Sequence, residues 1–560
     1  MTPAPLGIPP AAGRVVHQGL HRTRELAGTV GTPARVLGAS GIVRPLTPMT
    51  LARIGRTLRD WGTGPAGGFT AMALRDPHRI GLVDELGSLT FGEMHRRTNA
   101  LARALADLGV REGDSVAIMC RNHRGFVDAC VASAKLGADI LLLNTAFAGP
   151  QLVDVLERER PSVVIHDQEF TGLLANADQG VRILGWVDDD DPAAESPAEQ
   201  SMESLIPAYD DSDLAAPRHH SRVVILTSGT TGTPKGAPRS EAGLGAAISL
   251  LSRMPLRYGW RTHIAAPLFH TWGFAHLALA MLLGSTIVLR RKFLPEPCLS
   301  AVADERCESL VVIPVMLQRI LDLPDETLDR YPLPSLGVTA ASGSALPGDL
   351  ALDWMDRFGD NLYNIYGSTE VAYASIATPS DLRAAPTAAG KPPWATVVKI
   401  LDDEGREVAP GEPGRIFVGN GLLFEGYTGG GESKEVVDGL MASGDVGRFD
   451  DEGRLYVEGR DDEMIVSGGE NVFPQEIENC LARHGGVSEV AAIGVDDDQF
   501  GKRLRVFVVA REARPSEDEL KDWVKQNLAR YKVPREIVFL DELPRTATGK
   551  ILKRELAQLD

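Results

Sequence analysis

From about Phe69 to beyond residue 300 the chain repeats one pattern: an apolar run of strand length, a turn, then a segment whose apolar residues recur at helical spacing. "RIGLVDELGSLTFGEMHRRTNALARALADLGV" predicts a strand, a tight turn and a helix with Ala100, Leu101, Ala104 and Leu105 on its apolar face. "DSVAIMC" and "GADILLLN" are apolar runs of strand length, and "ESLVVIPVMLQRILDL" continues the alternation. Strands apolar on both faces must be covered on both faces, so the pattern predicts largely parallel sheets flanked by helices. "WGFAHLALAMLLGSTIVLRR" is the most apolar long stretch, but a histidine and a Gly-Ser pair interrupt it. It reads as a buried helix turning into a buried strand, not as a membrane span.

The pattern changes after Ala395, where "TVVKILDDEGREVAPGEPGRIFVG" predicts strands separated by Asp-Glu-Gly and Pro-Gly turns, a smaller β-rich unit. Past a boundary at Arg460 to Asp462, "VSEVAAIGVDD", "RLRVFVVA" and "SEDELKDWVKQNL" predict two strands and a helix of a compact α+β domain. The expected fold class is α/β and β multidomain, with a large N-terminal domain over 61–460 and a small C-terminal one over 461–560. Residues 1–60 are rich in Gly, Pro, Arg and Ala with little periodicity, and read as a lead-in of unassigned role. "VDDDDPAAESPAEQS" reads as a solvated acidic loop.

A formal charge of −18 argues against nonspecific nucleic-acid binding and favours a cytoplasmic location, with peripheral membrane contact left open. Cys120, Cys130, Cys298, Cys307 and Cys480 are scattered without a Cys-x-x-Cys pair, so reduced, buried thiols are expected in place of disulfides or structural zinc. The N-terminus lacks the compact basic and apolar segments of a secretory signal.

The polar stretch Thr227, Ser228, Gly229, Thr230, Thr231, Gly232, Thr233, Pro234 and Lys235 follows the apolar run Val223 to Leu226. Its glycines and hydroxyls oppose helix and core, and α/β proteins place ligand loops at such strand ends. Backbone N–H groups and hydroxyls can converge on phosphate, with Lys235 adding positive charge. Pro234 before Lys235, and Gly236 after it, break the G-x-x-x-x-G-K-[ST] pattern, so the usual NTPase and kinase classes lose ground. In "NLYNIYGSTE", Tyr366 and Gly367 end an aromatic run before Ser368, Thr369 and Glu370; stacking on a base, a phosphate bond and Mg²⁺ coordination suit Tyr366, Thr369 and Glu370 in turn. Asp445 in "ASGD" has the acceptors a ribose diol needs, against the plainer reading of an Asx turn. Lys550, directly after Gly549, reads as a solvated lysine unless the small domain carries it to the phosphate site.

"TSGTTGTPKG", "YGSTE", "ASGD", "GRDDEMIVSGGENVFPQEIE" and "PRTATGK" stand in the order of the adenylate-forming superfamily. Over roughly residues 65–557 the chain resembles an acyl-CoA synthetase of the fatty-acid–CoA ligase kind. The resemblance implies a large domain of two αβ sheet subdomains and a β-barrel-like one, then a mobile C-terminal domain. It implies that a carboxylate attacks the ATP α-phosphate to give acyl-AMP and pyrophosphate, and that the CoA thiol then takes the acyl group. The Thr227–Lys235 loop would hold the β and γ phosphates, Tyr366 would lie against adenine, Thr369 would touch the α-phosphate and Glu370 would coordinate Mg²⁺. Asp445 would bind the ribose with Arg460 nearby, and Lys550 would serve adenylation. Asp462 would be the hinge, and Ser467, Gly468 and Gly469 would approach the thiolation site after domain rotation. His270 would sit near the carboxylate end of the acyl pocket, with Gly343, Ser344 and Ala345 bordering it and the nucleotide. Ser443 stands where the family more often has threonine, which puts only the local bonding in question. The expected substrate is a medium- or long-chain fatty acid. An aryl carboxylate, transfer to a carrier protein, and a noncatalytic nucleotide-binding scaffold remain alternatives.

Overall fold

The computed structural model describes residues 31–559 except 44–45, 148, 179, 189–199, 228–234, 240–243, 369–370, 423–434, 461–464, 468–469, 473, 498–500, 512, 529–531 and 547–548. Among these residues the chain forms four sheets. A seven-stranded sheet runs Gln200–Ser201, Val181–Trp186, Val163–Asp167, Ser115–Met119, Asp139–Leu142, Val223–Thr227 and Lys235–Arg239, parallel up to its last strand. An eight-stranded sheet runs Ser375–Ala377, Leu362–Tyr366, Val338–Ala341, Ser309–Val312, Arg261–Ile264, Thr286–Val288, Ile80–Asp84 and Gly87–Thr90; only its two edge pairings are antiparallel. The predicted helix is Phe91–Asp107, closed at its start by a Thr90–Glu93 capping box. Its Ala100, Leu101, Ala104 and Leu105 are all within 1% of complete burial.

A five-stranded antiparallel sheet follows, with Val397–Leu401, Gly414–Gly419, Leu440–Phe449 and Leu455–Arg460 as its long members. The C-terminal unit pairs Val487–Asp497 with Gly501–Ala510, adds Glu536–Leu540 in parallel, and covers the sheet with helices Pro474–Ala482 and Glu517–Asn527. The expected two-domain class, a large sheet-rich body and a small α+β unit, is thus present. The stretch Trp272 to Arg291 is the helix Thr271–Leu282 and the strand Thr286–Val288, and no helix among the described residues is long and apolar enough to cross a membrane. All five cysteines are free and buried.

The reading of residues 1–60 as unpatterned is corrected. Gly31–Ser40 and Pro48–Trp61 are helices, the second capped by Thr47 and started by a proline. Glycines inside both helices and arginines on the outer face hid the periodicity.

Buried polar side chains lock the two large sheets together. The Arg124 guanidinium binds both oxygens of Asp84, at 2.5 to 3.0 Å, while the Arg124 backbone N–H donates to Oδ2. Asp84 ends a strand of the eight-stranded sheet, and Arg124 starts the helix after a strand of the other. Asn122 donates to the carbonyls of Ile264 and Ala266 and accepts from the Leu268 N–H. Removing one partner of a buried ion pair strands a charge, at a cost of about 3–5 kcal/mol. Asp84→Ala should therefore lower the unfolding free energy by about that amount, measured by urea denaturation; a change below about 1 kcal/mol would contradict the lock.

Candidate active site

The candidate residues gather where the parallel strands of the eight-stranded sheet end at their carboxyl edges, the position α/β sheets use for ligands. Val338–Ala341 leads to Gly343, Ser344 and Ala345, and Leu362–Tyr366 leads to Gly367. Arg261–Ile264 leads through the Asn122-bound turn to His270, and Ser309–Val312 leads to Ile313. In the neighbouring sheet Thr227 pairs antiparallel with Lys235. Ser228, Gly229, Thr230, Thr231, Gly232 and Thr233 lie outside the described residues, as do Thr369, Glu370, Asp462, Gly468 and Gly469. Ser467 ends the strand Ile465–Ser467 in the C-terminal unit.

Tyr366, Ser443, Asp445 and Arg460 meet. The Tyr366 hydroxyl donates to Asp445 Oδ2 at 2.5 Å and lies 3.2 Å from the Ser443 hydroxyl. Arg460 stands 3.7 Å from the other Asp445 oxygen, across a strand pair that sets the two residues opposite each other. Burial, and then the carboxylate, push the Tyr366 phenol well above its ordinary range, so it acts as a neutral donor. The turn reading of Asp445 is corrected: these residues lie inside the strand Leu440–Phe449. Ala442 pairs with Phe417 and Val446 with Arg415, so Ser443, Gly444 and Asp445 face the single residue Ile416 as a bulge. Bulges re-aim side chains, and this one carries Asp445 toward Tyr366. Ser443 accepts the Asp445 N–H at 3.1 Å, which accounts for a hydroxyl residue at that position.

His270 precedes the helix Thr271–Leu282 in extended conformation, and its side chain does not cap that helix. Its Nε2 is buried with no hydrogen-bond partner among the described residues, and burial lowers its pKa to about 4. A buried polar atom left unpaired beside a helix N-terminus suits the head group of a carboxylate ligand. Trp272, two residues on, donates its indole N–H to the Val312 carbonyl at 2.9 Å and packs edge-on against His276 at 4.1 Å. Sequence reading passed over Trp272; its spacing from His270 on one helix start was the available signal.

Lys550 is exposed in a turn closed by hydrogen bonds from the Gly549 N–H to the Thr546 carbonyl and from the Thr546 N–H to the Lys550 carbonyl. That turn touches the large domain. Gly549 has φ +76°, and a Cβ there would lie 2.5 Å from Val315 Cγ1 and 3.1 Å from Ile313 Cδ1. A Cβ on Gly343, at φ +99°, would lie 3.3 Å from Ile313 Cγ2. Ile313 is therefore shared by the Gly343 loop and the Lys550 turn, and the small domain presents Lys550 beside the strand ends.

Two other features do not join this site. A cleft of about 980 Å³ between the antiparallel sheet and the C-terminal unit is lined by paired charges such as Lys532–Glu476 and Arg448–Glu458 and contains none of these residues. The buried trio Cys120, His123 and Asp167 is internally satisfied: His123 accepts the Gly125 N–H at Nδ1 and meets Asp167 through Nε2. With both ring nitrogens occupied and the Cys120 thiol pushed up by burial, the trio is a structural knot and does not fit a metal.

The models of two family domains match this chain, the AMP-binding enzyme over residues 69–428 and the AMP-binding enzyme C-terminal domain over 476–550. The chain belongs to the AMP-binding enzymes, the adenylate-forming superfamily. It is 35% identical over 492 residues to a feruloyl-CoA synthase of Amycolatopsis sp, covering 86% of this chain and 96% of that one. A long-chain-fatty-acid–CoA ligase of Mycobacterium tuberculosis is 28% identical over 477 residues, covering 84% and 93%. The crystal structure of an anthranilate CoA ligase in complex with anthranoyl-AMP superposes with a TM-score of 0.79 at 27% identity, over 88% of this chain and 96% of that one. As an AMP-forming acid–thiol ligase the protein uses ATP, CoA and a small carboxylic acid.

His263, His270 and His276 each have a pKa lowered to about 4, with burial the first cause in each. Free histidine titrates near 6.5, so the unfolded chain takes up these protons first. Their contribution is fully present above about pH 6.5 and is lost as pH falls toward 4. Urea midpoints should therefore drop steeply between those limits, with a proton linkage approaching three; a flat profile there would contradict the burial of these rings.

Proposed function

We propose that the chain joins an aryl or arylalkyl carboxylate to CoA through an acyl-AMP intermediate. The observation that carries this reading is Trp272. Its indole is fixed to Val312 one residue before the shared Ile313, and it follows His270 by two positions. A rigid indole there offers a flat wall for a ring and obstructs a long flexible chain. The feruloyl-CoA synthase at 35% identity and the anthranilate ligase fold support it. The fatty-acid reading expected from sequence keeps its support from the 28% identical relative and is the second reading.

In this proposal the Thr227–Lys235 loop holds the β and γ phosphates, and Thr369 contacts the α-phosphate. Tyr366 lies against adenine and fixes Asp445 to receive the ribose hydroxyls, with Arg460 holding the other carboxylate oxygen. Gly343, Ser344 and Ala345 border the acyl group and nucleotide. Mg²⁺, held by Glu370 and phosphate oxygens, would offset phosphate charge; Glu370 lies outside the described residues, and a single protein carboxylate suits the way this ion binds nucleotides. His270 is neutral at pH 7 and so orients the substrate carboxylate by hydrogen bonding, leaving cationic stabilisation to Lys235 and Lys550. Lys550 approaches as charge grows on the phosphoryl group. After pyrophosphate leaves, rotation of residues 461–560 about Asp462 would withdraw Lys550 and bring Ser467, Gly468 and Gly469 to the thiolation site.

Acid-dependent pyrophosphate release, with mass detection of acyl-CoA, should favour ferulate and benzoate over palmitate by more than about tenfold in kcat/KM, a pocket contrast of above about 1.4 kcal/mol. Trp272→Ala should narrow that gap. Preference for palmitate in the unaltered enzyme would overturn the aryl reading, and acyl-AMP accumulating without thioester would point to a carrier protein. Lys550→Ala should slow adenylation about 10²- to 10³-fold while sparing thioester formation from supplied acyl-AMP. Gly549→Ala should shift the same balance by displacing the turn from Ile313 and Val315, and equal loss in both half-reactions would contradict these roles.

A further inference from the structure

The chain that joins Leu362–Tyr366 to Ser375–Ala377 turns through a conformation its residues resist. The two strands pair antiparallel with Tyr366 opposite Ser375, and the Ala374 N–H donates to the Tyr366 carbonyl at 2.8 Å. Just before that closure Ala372 has φ +58°, the left-handed region that a Cβ disfavours and glycine accepts freely. The Ala372 carbonyl presses on Gly367, where a Cβ would lie 2.1 Å from its oxygen and 2.8 Å from Tyr373 Cα. The left-handed turn therefore leans on the residue that follows Tyr366.

Asn420 holds both sides of Ala372. Its Nδ2 donates to the Val371 carbonyl and to the Tyr373 carbonyl, each at 2.7 Å, and its Oδ1 accepts the Leu422 N–H at 2.8 Å. Both amide protons and the amide oxygen are used, which fixes the end of the side chain that faces the turn. In an extended strand alternate carbonyls stand about 7 Å apart, so one nitrogen reaches both only because the chain curls at Ala372.

Asn420 comes from a different sheet. It directly follows Gly414–Gly419, whose antiparallel partner Leu440–Phe449 carries the bulge of Ser443, Gly444 and Asp445. Val371 and Ala374 are buried in one cluster with Ile416, Val418 and Met441, and Tyr366 packs against it. That apolar contact draws the turn and the antiparallel sheet together without a preferred direction; the two bonds from Asn420 supply one. The bond from Tyr366 to Asp445 Oδ2 crosses the same junction, so slippage between the sheets is felt there.

We propose that Asn420 is a positioning residue for nucleotide recognition. By clamping the Ala372 turn it sets the register of Tyr366 against Asp445, and so the place of the Asp445 carboxylate before a ribose diol. The inference rests on the ribose role proposed for Asp445.

The test is calorimetric titration of the full chain, with Mg²⁺ present, with ATP and with an ATP analogue lacking both ribose hydroxyls. The unaltered protein should bind ATP at least about tenfold more tightly, the contrast expected from a carboxylate's bonds to the diol. Asn420→Ala should cut that contrast to below about threefold by weakening ATP while the analogue stays within about twofold. Asn420→Asp, which keeps the shape and the Leu422 bond but lacks the two protons, should do the same. Ala372→Gly added to Asn420→Ala should restore the contrast, because glycine holds the left-handed turn without the clamp. A role in stability alone would move thermal midpoints or weaken both nucleotides together. Equal weakening of both, full contrast in either Asn420 variant, or failure of Ala372→Gly to restore it would overturn the proposal. Absence of the contrast from the unaltered protein would overturn the ribose role of Asp445, and the proposal with it.

Discussion

The arrangement depends on a short polar segment buried between two sheets. Residues Arg121 to Arg124 follow one strand of the seven-stranded sheet, and their side chains reach in both directions. His123 and the Arg121 N–H bind Asp167 within that sheet's own layer, whereas Asn122 and Arg124 bind the other sheet. Arg291, after a strand of the eight-stranded sheet, answers from the opposite side by binding Glu169 and Asp188. Hydrophobic burial supplies most of the driving force but carries no direction; these charge-assisted bonds fix the angle and register at which the sheets meet. The Asn122 contacts hold the turn that leads to His270, so the same bonds that join the sheets also position that side chain.

Much of this was legible in sequence because strand-length apolar runs alternating with helices admit few architectures. The gathering of Gly343, Tyr366 and His270 at one edge follows from parallel topology, once each is seen to stand just past a strand. Asp445 was placed near its partners but in the wrong local structure. Ser-Gly-Asp is a good turn signal, and only pairing with Phe417 and Arg415 on the neighbouring strand makes it a bulge. The helices of the N-terminal extension were missed because one packs on the segment around residue 248 and the other on the segment around residue 70, contacts that no local periodicity carries. Trp272 and Ile313 escape for a related reason: each makes its contact with a neighbour distant in sequence, Trp272 with Val312 and Ile313 with Gly549, and the short spacing from His270 does not convey this.

On the proposed function, the Tyr366–Asp445–Arg460 group is a small polar network prepared before its ligand arrives. The phenol gives its proton to one carboxylate oxygen and the arginine stands by the other, so Asp445 is oriented with little freedom left to lose. His270 is prepared differently: it is stripped of water and left with a ring nitrogen unmatched among its described neighbours. One group is ordered by what it already holds and the other by what it lacks.

Ile313 touches the Gly343 loop with one methyl and the Gly549 turn with the other end of the same side chain. On the proposed function its size therefore enters two fits at once, that of the acyl group bordered by Gly343 and that of the turn that carries Lys550. A larger residue that shortened the pocket would also push Lys550 away, and a smaller one that deepened it would loosen closure. On that reading substrate length cannot be adjusted at this position without altering how the Lys550 turn seats, so divergence in the acid accepted is steered toward positions that serve one fit alone.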